Sequence, residues 1–542
     1  MQTYRSCENI PACHRSVALG LFDGLHPAHR QVILSATMGI EDGTAVSVYT
    51  FDPTTVNTKA IHGLLCDEEE ETSILSLMGV DELFRVDFSA VRALSPEEFV
   101  RQILKEQLGA VKVSCGYNYR FGHRGAGDVA LLQRLCADVG IAVTVVPEVD
   151  IDGIPVSSTV IRRYIADGDM AMTRRLLGRP YCIHTPVIPG QHLGNKLGFP
   201  TINQALPDGY ACPRYGVYAS SVEMDGETYP AVTNIGLRPT VGADAPLAET
   251  HIIGFEGDLY GQSPRVYPLQ FLRPEQRFPS LEALQTQIAQ DTATAAALFT
   301  QRPDDGIRAV FFDFDDTLDT RDDAFRAGLS AFLRYYYPSL SEEEVTARRE
   351  EMFFFQRGHY GQIIYYRDML AHFLEKWPPE VSTDVDTSYR RMIGAFAQAG
   401  QPHPDVFPTL TALRQRGYLI GIITNGTPRT QCRKMDHSGL RPYVDLVILA
   451  GAEGIQKPDT RIFRMAAARL GLPTTACLFV GDHPLNDIEG ARAAGFTAVR
   501  KDAAWDADHP IHRIPLAQDV PTIQHVSQVL TLLDDFQKTR ST

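Results

Sequence analysis

The sequence predicts a multidomain protein in which a small antiparallel β-barrel or β-sandwich stands between two doubly wound α/β units. The chain has 542 residues, which is too many for a single hydrophobic core. Short apolar runs alternate with helical stretches over residues 15–178 and again from residue 308, as is typical of parallel sheets. Between them, over about 180–275, short strands are separated by glycine and proline turns without a helical period.

Composition narrows the classes of function. Hydrophobic residues make up 44% of the chain and charged residues 22%, and the formal net charge is -15. This acidic balance argues against a nucleic-acid surface, which needs a basic footprint. The nine cysteines are scattered without a CxxC pair, so we predict reduced thiols. No signal-peptide pattern or long apolar run occurs, so we expect a cytoplasmic protein without a membrane partner, and its oligomeric state stays open.

The first strand leads into "GLFDGLHPAHR" at 20–30, which opens a helix. His26 and His29 are three residues apart and share one helical face. Two imidazoles at a helix N-terminus can bind phosphate, although the bare pair can also be two unrelated polar residues. A second helix opens at "VSSTVIRRYIADGDM", 156–170, where two serines can cap the helix or hold phosphate and Arg162 can neutralise its charge.

Over residues 15–178 these motifs, with "GYNYRFGHRGAGD" at 116–128, resemble the adenylyltransferase half of bacterial bifunctional riboflavin kinase/FAD synthetases. The resemblance implies a Rossmann-like nucleotidyltransferase in which FMN attacks ATP to give FAD and pyrophosphate. It implies that His26 and His29 stabilise phosphate charge as catalytic residues. The positions that it places around the nucleotide and flavin are Gly20, Phe22, Asp23, Ser157, Ser158, Thr159 and Arg162. Ala28 stands where the family usually has glycine, which leaves open an impaired adenylyltransferase.

The middle region carries a second phosphate-handling pattern, "LGNKLGFPTIN" at 193–203. Gly194 and Gly198 give a flexible loop that can close over phosphates, although a glycine-rich hairpin is a common alternative. Thr201 and Asn203 alternate onto one face and can offer oxygen ligands to Mg²⁺. Downstream, Glu249 lies in an alternating strand and can either accept a proton from an alcohol or be an exposed edge residue.

Residues 179–295 resemble the riboflavin kinase domain, because "GFPTIN", "YGVYA", "NIGLRPTVG" and "GDLYG" follow in that family's order. The resemblance implies a six-stranded antiparallel barrel in which Thr201 and Asn203 serve magnesium and ATP. It also implies that Glu249 is the general base that activates the 5′-hydroxyl of riboflavin.

A third pattern begins with "AVFFDFDDT", in which an apolar strand ends in closely spaced acids. Asp313 and Asp315 are two residues apart and would lie at the carboxyl edge of the sheet, where ligands bind in open α/β folds. Such carboxylates repel each other unless a cation such as Mg²⁺ relieves the charge. Two further strand ends and one loop contribute polar residues, which are Thr424, Asn425, Lys457, Asp482 and Asp487.

Over about 308–535 this set resembles the haloacid-dehalogenase-like phosphatases, with a Rossmann-like core and a helical cap. The resemblance implies that Asp313 forms an aspartyl-phosphate and that Asp315 acts as acid and base. Thr424 and Lys457 would hold the transferring oxygens, with Asn425 beside them. The resemblance assigns Mg²⁺ to a set of ligands, which are Asp313, Asp315 through its carbonyl, Asp482 and, in support, Asp487.

We expect four segments: a 1–178 FMN adenylyltransferase, a 179–299 riboflavin kinase, a 300–307 linker, and a 308–542 phosphatase with a cap at about 321–398. The expected small molecules are riboflavin, FMN, ATP and a phosphomonoester, with FMN and FAD as products. Free hydrolysis of FMN would undo the kinase, so the ribitylaminouracil phosphate precursor of riboflavin is the preferred phosphatase substrate. An FMN or general nucleotide phosphatase, or a regulatory scaffold, is the alternative.

Overall fold

The computed structural model of the chain describes residues 1–38, 43–56, 63–190, 194, 197–207, 209–237, 246–300, 306–358, 366–503, 514–515 and 517–541. Residues 301–305 of the predicted 300–307 linker and residues 359–365 of the predicted cap lie outside the described residues, as do parts of the two glycine-containing motifs of the barrel. The chain divides into two compact units: residues 1–305 with 444–447 and 464–476, and residues 306–443 with 448–463 and 477–542.

The first sheet has six parallel strands in the order β1-β4-β3-β2-β5-β6. Its strands are Gln2–Tyr4 (β1), Arg15–Leu19 (β2), Ala45–Phe51 (β3), Glu82–Val86 (β4), Ala110–Gly116 (β5) and Ala142–Val146 (β6). The helices of this part are Pro27–Thr37 (α1), Glu68–Met78 (α2), Pro96–Glu98 (α3) continued by a π-helix over Phe99–Gln107, Val129–Asp138 (α4), Ser158–Asp167 (α5) and Met170–Leu177 (α6). Because β2 is central and buried throughout, the loop that follows it lies at the carboxyl edge of the sheet.

The second sheet is antiparallel, with six strands in the order β14-β11-β12-β13-β10-β9, and it follows a short hairpin of Asp150–Ile151 (β7) and Ile154–Pro155 (β8). Its strands are Val187–Ile188 (β9), Ile202–Ala205 (β10), Gly216–Met224 (β11), Glu227–Leu237 (β12), Pro246–Ile252 (β13) and Arg265–Arg273 (β14). A bridge between Ile183 and Val266 joins the lead-in of β9 to β14 and brings the two edges of the sheet together, as a barrel requires. Helix Leu281–Leu298 (α7) follows it.

The parallel sheet and the barrel share one hydrophobic core. It combines residues of α5 and of the preceding loop, such as Ile161 and Val149, with barrel residues such as Tyr218 and Val266, all buried. The alternating pattern of the barrel strands supplies the inward-facing side. These two parts therefore form a single packed body.

The third sheet carries six strands in the order β17-β16-β15-β18-β19-β20. Its strands are Ala309–Phe312 (β15), Leu419–Thr424 (β16), Leu446–Leu449 (β17), Cys477–Gly481 (β18), Thr497–Lys501 (β19) and Thr522–Ile523 (β20). Every residue of β15 is inaccessible to solvent, and β15 pairs in parallel with β16 and β18 on its two sides. Asp313, Thr424 and Asp482 come at the ends of these three strands, so they meet at one edge of the sheet.

Four helices form the insertion between β15 and β16: Arg321–Tyr336 (α8), Glu342–Gly358 (α9), Tyr366–Lys376 (α10) and Val385–Ala399 (α11). They enclose their own aromatic core, in which Phe325, Phe332 and Phe396 are buried. Met352 and Phe353 of α9 belong to this core, whereas Phe354 is exposed. Core packing is therefore the role of those two residues.

The remaining helices are Val406–Gln415 (α12), Pro428–His437 (α13), Ala450–Glu453 (α14), Thr460–Arg469 (α15), a π-helix over Pro484–Glu489, Gly490–Ala494 (α16) and Val529–Ser541 (α17). Short 3-10 turns cover Phe88–Ala90, His123–Gly125, Arg441–Tyr443, Thr474–Ala476 and Val526–Gln528. Among the described residues, no helix combines the length and the apolar character that a membrane crossing requires.

Candidate active sites

The loop after β2 delivers two histidines to the start of α1. His26 is the N-cap of this helix, and its Nδ1 accepts a hydrogen bond of 3.4 Å from the backbone N–H of His29. Because Nδ1 accepts, the proton of the neutral ring lies on Nε2, which makes Nε2 a donor. In the described chain, His26 Nε2 and His29 Nδ1 are buried and have no hydrogen-bond partner. The predicted histidine pair therefore presents unused polar atoms at a helix N-terminus.

Both imidazoles are neutral at pH 7 in this structure. Their rings stack with centroids 3.6 Å apart. Burial, and to a smaller extent the charge of Arg162, lower the pKa of His29 to about 3. Burial and then the neighbouring His29 hold the pKa of His26 well below its usual value. The pair can thus donate hydrogen bonds to an anion without carrying charge of its own.

Arg162 of α5 is held in place by residues of the first loop. Its Nη2 forms an ion pair with the carboxylate of Asp23, and its Nε donates to the carbonyl of Gly63 at 2.7 Å. Asp23 also accepts a hydrogen bond of 2.8 Å from the backbone N–H of Leu65. Burial nevertheless raises the pKa of Asp23 above its ordinary value. A phosphate that binds Arg162 has to share it with this carboxylate.

Most of the other predicted residues of this site make contacts within the chain, and one of them is exposed. Ser157 caps α5 by accepting from the N–H of Val160, and the Ser158 hydroxyl donates to the carbonyl of Asp23 at 3.0 Å. Thr159 is exposed. Gly20 donates to the carbonyl of Tyr49 at 3.3 Å, and Phe22 is buried with its ring edge-on to His29. Ser158 therefore ties the two motifs together.

In the barrel, the strand register brings the predicted kinase residues to one face. Glu249 on β13 lies directly opposite Asn203 on β10 and opposite Asn234 on β12. Opposite residues of antiparallel strands project to the same face, so these three side chains form a row. Asn203 is buried, and its Oδ1 has no partner in the described chain, as expected of an oxygen that serves a bound cation or nucleotide.

The glycine-containing loop folds back on Thr201. The backbone N–H of Phe199 donates to the carbonyl of Gly194 at 2.9 Å, and a β-carbon at Gly194 would lie 3.4 Å from the Thr201 hydroxyl. Gly198 adopts a φ of +81°, which favours glycine. This turn places the loop beside the start of β10, next to Asn203.

In the third sheet, one lysine joins two of the predicted acids. Lys457 Nζ lies 2.6 Å from Asp313 Oδ1 and 2.7 Å from Asp487 Oδ1. Asp482 adds a third carboxylate, and oxygens of the three acids lie within 4.8 Å of one another. All four side chains are buried. The strand ends therefore gather the nucleophile candidate, the lysine and the metal-ligand candidates as predicted.

The charges of this cluster do not balance within the chain. Burial raises the pKa of Asp313 to about 7 against the opposing effect of Lys457. Burial, and then Asp487 and Asp313, hold the pKa of Asp482 well above its ordinary value. A single lysine leaves two carboxylate charges, and a hard divalent cation with oxygen ligands offsets such a pair. The donor set therefore fits Mg²⁺.

Asp315 has partners that the motif did not predict. Lys434 of α13 forms an ion pair with it, and Gln431 Nε2 donates to its Oδ2 at 2.8 Å. Burial alone would raise the pKa of Asp315, but the charges of Lys434 and Arg321 hold it below its ordinary value. The structure thus favours the carboxylate form of Asp315.

Thr424 ends β16 and Asn425 follows it. The Thr424 hydroxyl accepts a hydrogen bond of 2.8 Å from Gln431 and donates one of 3.3 Å to the carbonyl of Asn425. The side-chain amide of Asn425 bonds both the carbonyl and the N–H of Lys457, each at 2.9 Å. Asn425 therefore orients Lys457 and also lines the cavity above the acids.

A cavity of about 900 Å³ opens above these acids within the second unit. Its floor carries the acids, Thr424 and Lys457. Its other walls include residues of the helical insertion, among them Arg321, Tyr366, Arg367, Tyr389 and Phe396. The cavity therefore combines anion-binding groups with aromatic rings.

Three family models match the chain in succession. The FAD synthetase model matches residues 10–160, the riboflavin kinase model residues 177–299, and the haloacid dehalogenase-like hydrolase model residues 307–495. A bifunctional riboflavin kinase/FMN adenylyltransferase of Pseudomonas fluorescens is 37% identical over 308 residues, which are 55% of this chain and 98% of the relative. The chain belongs to the bifunctional riboflavin kinase/FMN adenylyltransferase family. It carries in addition a C-terminal haloacid dehalogenase-like hydrolase domain.

A second relative of the same family and a solved hydrolase structure match different parts of the chain. The bifunctional riboflavin kinase/FMN adenylyltransferase of Escherichia coli K12 is 34% identical over 289 residues, covering 52% of this chain and 92% of the relative. Among solved structures, a putative HAD-hydrolase, YfnB, of Bacillus subtilis bound to magnesium is 19% identical, with a TM-score of 0.35. That match covers 42% of this chain and 99% of the solved chain. The predicted kinase, adenylyltransferase and hydrolase assignments are confirmed at the level of the family.

Compared with the family motifs, the structure adds several residues to the sites. Gln431 and Lys434 are three positions apart on α13, so they share one helical face. This spacing is the feature of the sequence that could have indicated that they act together. Asn234 lies in the quoted motif "NIGLRPTVG" but was not assigned a role, because strand register is not visible in the sequence. Arg321 sits at the start of α8 and lines the cavity.

The neutral state of His29 predicts a pH-dependent stability of the first unit. Its pKa is about 3 in the folded chain and about 6.5 in an unfolded one, so the unfolded state binds more protons between these values. Stability should therefore fall as pH drops from about 6.5 towards 3, by up to about 1.4 kcal/mol per pH unit for one such residue, and be unaffected above 6.5. Chemical unfolding of this unit at several pH values measures the slope.

The variant His29→Gln should flatten this slope, while His14→Gln, at an exposed position, should leave it unchanged. His26 remains in both variants as a neutral imidazole, and Arg162 and Arg179 keep their charges. An equal slope in His29→Gln and in the native chain would contradict the buried, neutral state of His29.

Proposed function

We propose that this chain phosphorylates riboflavin to FMN, adenylylates FMN to FAD, and hydrolyses a phosphomonoester at a third site. The observation that carries the third activity is the contact of Lys457 with both Asp313 and Asp487 beside the third acid, Asp482. Family membership supports the first two activities. The roles of individual residues follow from the geometry above.

In the kinase site, Glu249 takes the proton from the 5′-hydroxyl of riboflavin as that oxygen attacks the terminal phosphorus of ATP. The row formed by Asn203, Glu249 and Asn234 supports this role, because it places a carboxylate beside amide groups. Thr201 and Asn203 hold the magnesium–ATP substrate, with Gly194 and Gly198 closing over its phosphates. The unpartnered Oδ1 of Asn203 fits this use.

In the adenylyltransferase site, an FMN phosphate oxygen attacks the α-phosphorus of ATP and pyrophosphate leaves. His26 and His29 donate hydrogen bonds to phosphate oxygens, and Arg162 neutralises charge once phosphate competes with Asp23. No covalent intermediate is needed, so positioning and electrostatics provide the acceleration. Ala28 is tolerated, because it packs against the shared hydrophobic core.

In the phosphatase site, an oxygen of Asp313 attacks phosphorus and the substrate alkoxide leaves, taking a proton from Asp315. Asp315 then accepts a proton from the water that cleaves the aspartyl-phosphate, and free phosphate and Asp313 are restored. Asp315 has to carry a proton in the first step and to be a carboxylate in the second. Lys434 and Gln431 favour the carboxylate form and so support the second step, whereas the first step requires that Asp315 takes up a proton before the alkoxide leaves. Thr424 and Lys457 bind phosphoryl oxygens.

Magnesium would be held by Asp313, Asp482 and the carbonyl of Asp315, with Asp487 in support. When bound, it supplies positive charge that offsets the carboxylates and the phosphoryl oxygens. Asp487 pairs with Lys457 and accepts from the N–H of His483 at 2.9 Å, which fixes its orientation.

The substrate that suits this cavity is a phosphomonoester with a flat polar ring. Tyr366 and Tyr389 offer rings for stacking, while Arg321 and Arg367 offer donors. A chain that makes FMN gains nothing from hydrolysing it. We therefore favour the ribitylaminouracil phosphate precursor of riboflavin, whose dephosphorylation precedes the kinase step.

Glu249→Gln should separate the kinase from the adenylyltransferase. The amide cannot accept the hydroxyl proton, so FMN formation from riboflavin and ATP should fall by about 10²–10⁴-fold. FAD formation from supplied FMN should stay near the native rate. Chromatography of the flavins measures both in one full-length protein, and Glu227→Gln, an exposed change in the same barrel, is the control. Retention of native FMN synthesis would exclude Glu249 as the base.

Asp313→Asn should abolish phosphate release by the full-length chain, because the amide is not a nucleophile. Initial rates of phosphate release are measured with ribitylaminouracil phosphate, FMN and AMP, in magnesium. We expect ribitylaminouracil phosphate to be the fastest of the three. Asp323→Asn, an exposed change on the insertion, should behave as the native chain.

Each other outcome selects an alternative. Fastest release from FMN or AMP would indicate an FMN or general nucleotide phosphatase and would contradict the precursor assignment. No release from any of them, with the kinase intact, would favour a regulatory scaffold. Release that persists in Asp313→Asn would reject the aspartyl-phosphate mechanism.

A further inference from the structure

We infer that Arg179, which belongs to the segment that matches the kinase model, is a positioning residue of the adenylyltransferase site. This inference rests on the proposed roles of His26 and His29. None of the motifs discussed above includes Arg179. Arg179 and the residues that it contacts lie within the first unit.

The segment that leaves α6 packs against the loop that carries the histidines. A β-carbon at Gly178 would lie 3.4 Å from the ring carbons of Pro27, the residue between His26 and Ala28. A β-carbon at Gly24 would lie 3.2 Å from Leu177 Cδ1. The junction between the two enzymatic modules is thus in direct contact with the phosphate-binding loop.

Arg179 bonds this loop directly. Its Nη1 donates to the carbonyl of Gly24 at 2.7 Å, and its Nε donates to Glu70 Oε1 at 2.6 Å. Gly24 lies two residues before His26, and Glu70 belongs to the first turn of α2. One guanidinium therefore links the loop to helix α2. Because the guanidinium group is planar and rigid, it fixes the direction of both hydrogen bonds.

The loop needs such a tie because its backbone is strained. Gly24 has a φ of +82° and Leu25 a φ of +44°, so two consecutive residues lie in the left-handed region. Glycine adopts this conformation readily, whereas a residue with a side chain, such as Leu25, does so only at a cost in free energy. The carbonyl bond to Arg179 offsets part of that cost and sets the direction from which the chain enters His26.

The charge of Arg179 also acts on the site. Its guanidinium contributes to the lowered pKa of His26, after burial and His29. His26 Nε2 and His29 Nδ1 are buried and have no hydrogen-bond partner in the described chain. The loop that Arg179 holds therefore carries two unused imidazole atoms, which a bound anion would satisfy.

The test measures both activities of full-length Arg179→Gln. FAD formation from FMN and ATP should lose about tenfold to a hundredfold in kcat, with the KM values for FMN and ATP within about threefold, because the loop is misplaced and binding is retained. FMN formation from riboflavin should stay native and reports that the chain is folded. Arg179→Lys should regain part of the kcat, since it keeps one donor and the charge.

Arg163→Gln is the matched control, because it removes the same charge from the exposed side of α5 and should change neither activity. Native FAD synthesis in Arg179→Gln would overturn the inference, and so would an equal loss of both activities. His29→Gln, measured in parallel, distinguishes failure of the proposed adenylyltransferase site from failure of the role of Arg179. If His29→Gln retains FAD synthesis, the proposed site itself fails. If it loses FAD synthesis while Arg179→Gln does not, only the role of Arg179 fails.

Discussion

The third site depends on the placement of several buried carboxylates around a single lysine. Lys457 contacts Asp313 and Asp487, and Asp482 completes a cluster whose charge the lysine offsets only in part. Burying such a cluster costs several kcal/mol of folding free energy unless a bound cation compensates its negative charge. The parallel strands make the arrangement possible, because they release these residues at one edge, and the amide of Asn425 holds the backbone of the lysine.

The first unit differs from the third site, because its loop presents hydrogen-bond donors to an anion instead of carboxylates to a cation. His26 and His29 are kept neutral by burial, and Arg162 is kept at hand by Asp23. The barrel offers a buried amide oxygen on Asn203 across from Glu249. In each site the chain leaves polar atoms or charges unsatisfied where a phosphoester is expected to bind. Such unsatisfied groups are rare in folded proteins and tend to mark functional sites.

Local sequence predicted the parts of the fold that local forces determine. The apolar run of β15 predicted a central strand, and the residues that end β15, β16 and β18 predicted the acid edge. What could not be predicted depends on packing between distant segments. The ion pair of Lys434 with Asp315, the register of Asn234 with Glu249 and the engagement of Asn425 with Lys457 each need three-dimensional coordinates. The serines of the adenylyltransferase motif show the same limit, since Ser158 binds the carbonyl of Asp23.

The central claim is that the clustered acids form a phosphoryl-transfer centre that takes magnesium. A crystal structure of the full-length chain grown with Mg²⁺ and beryllium fluoride, a stable analogue of a phosphoryl group, tests it most directly. The account predicts fluoroberyllate bonded to the carboxylate of Asp313, with Mg²⁺ bound by Asp313 and Asp482 and with Lys457 contacting the fluorides. Fluoroberyllate absent from Asp313, or Mg²⁺ bound away from these acids, would contradict it.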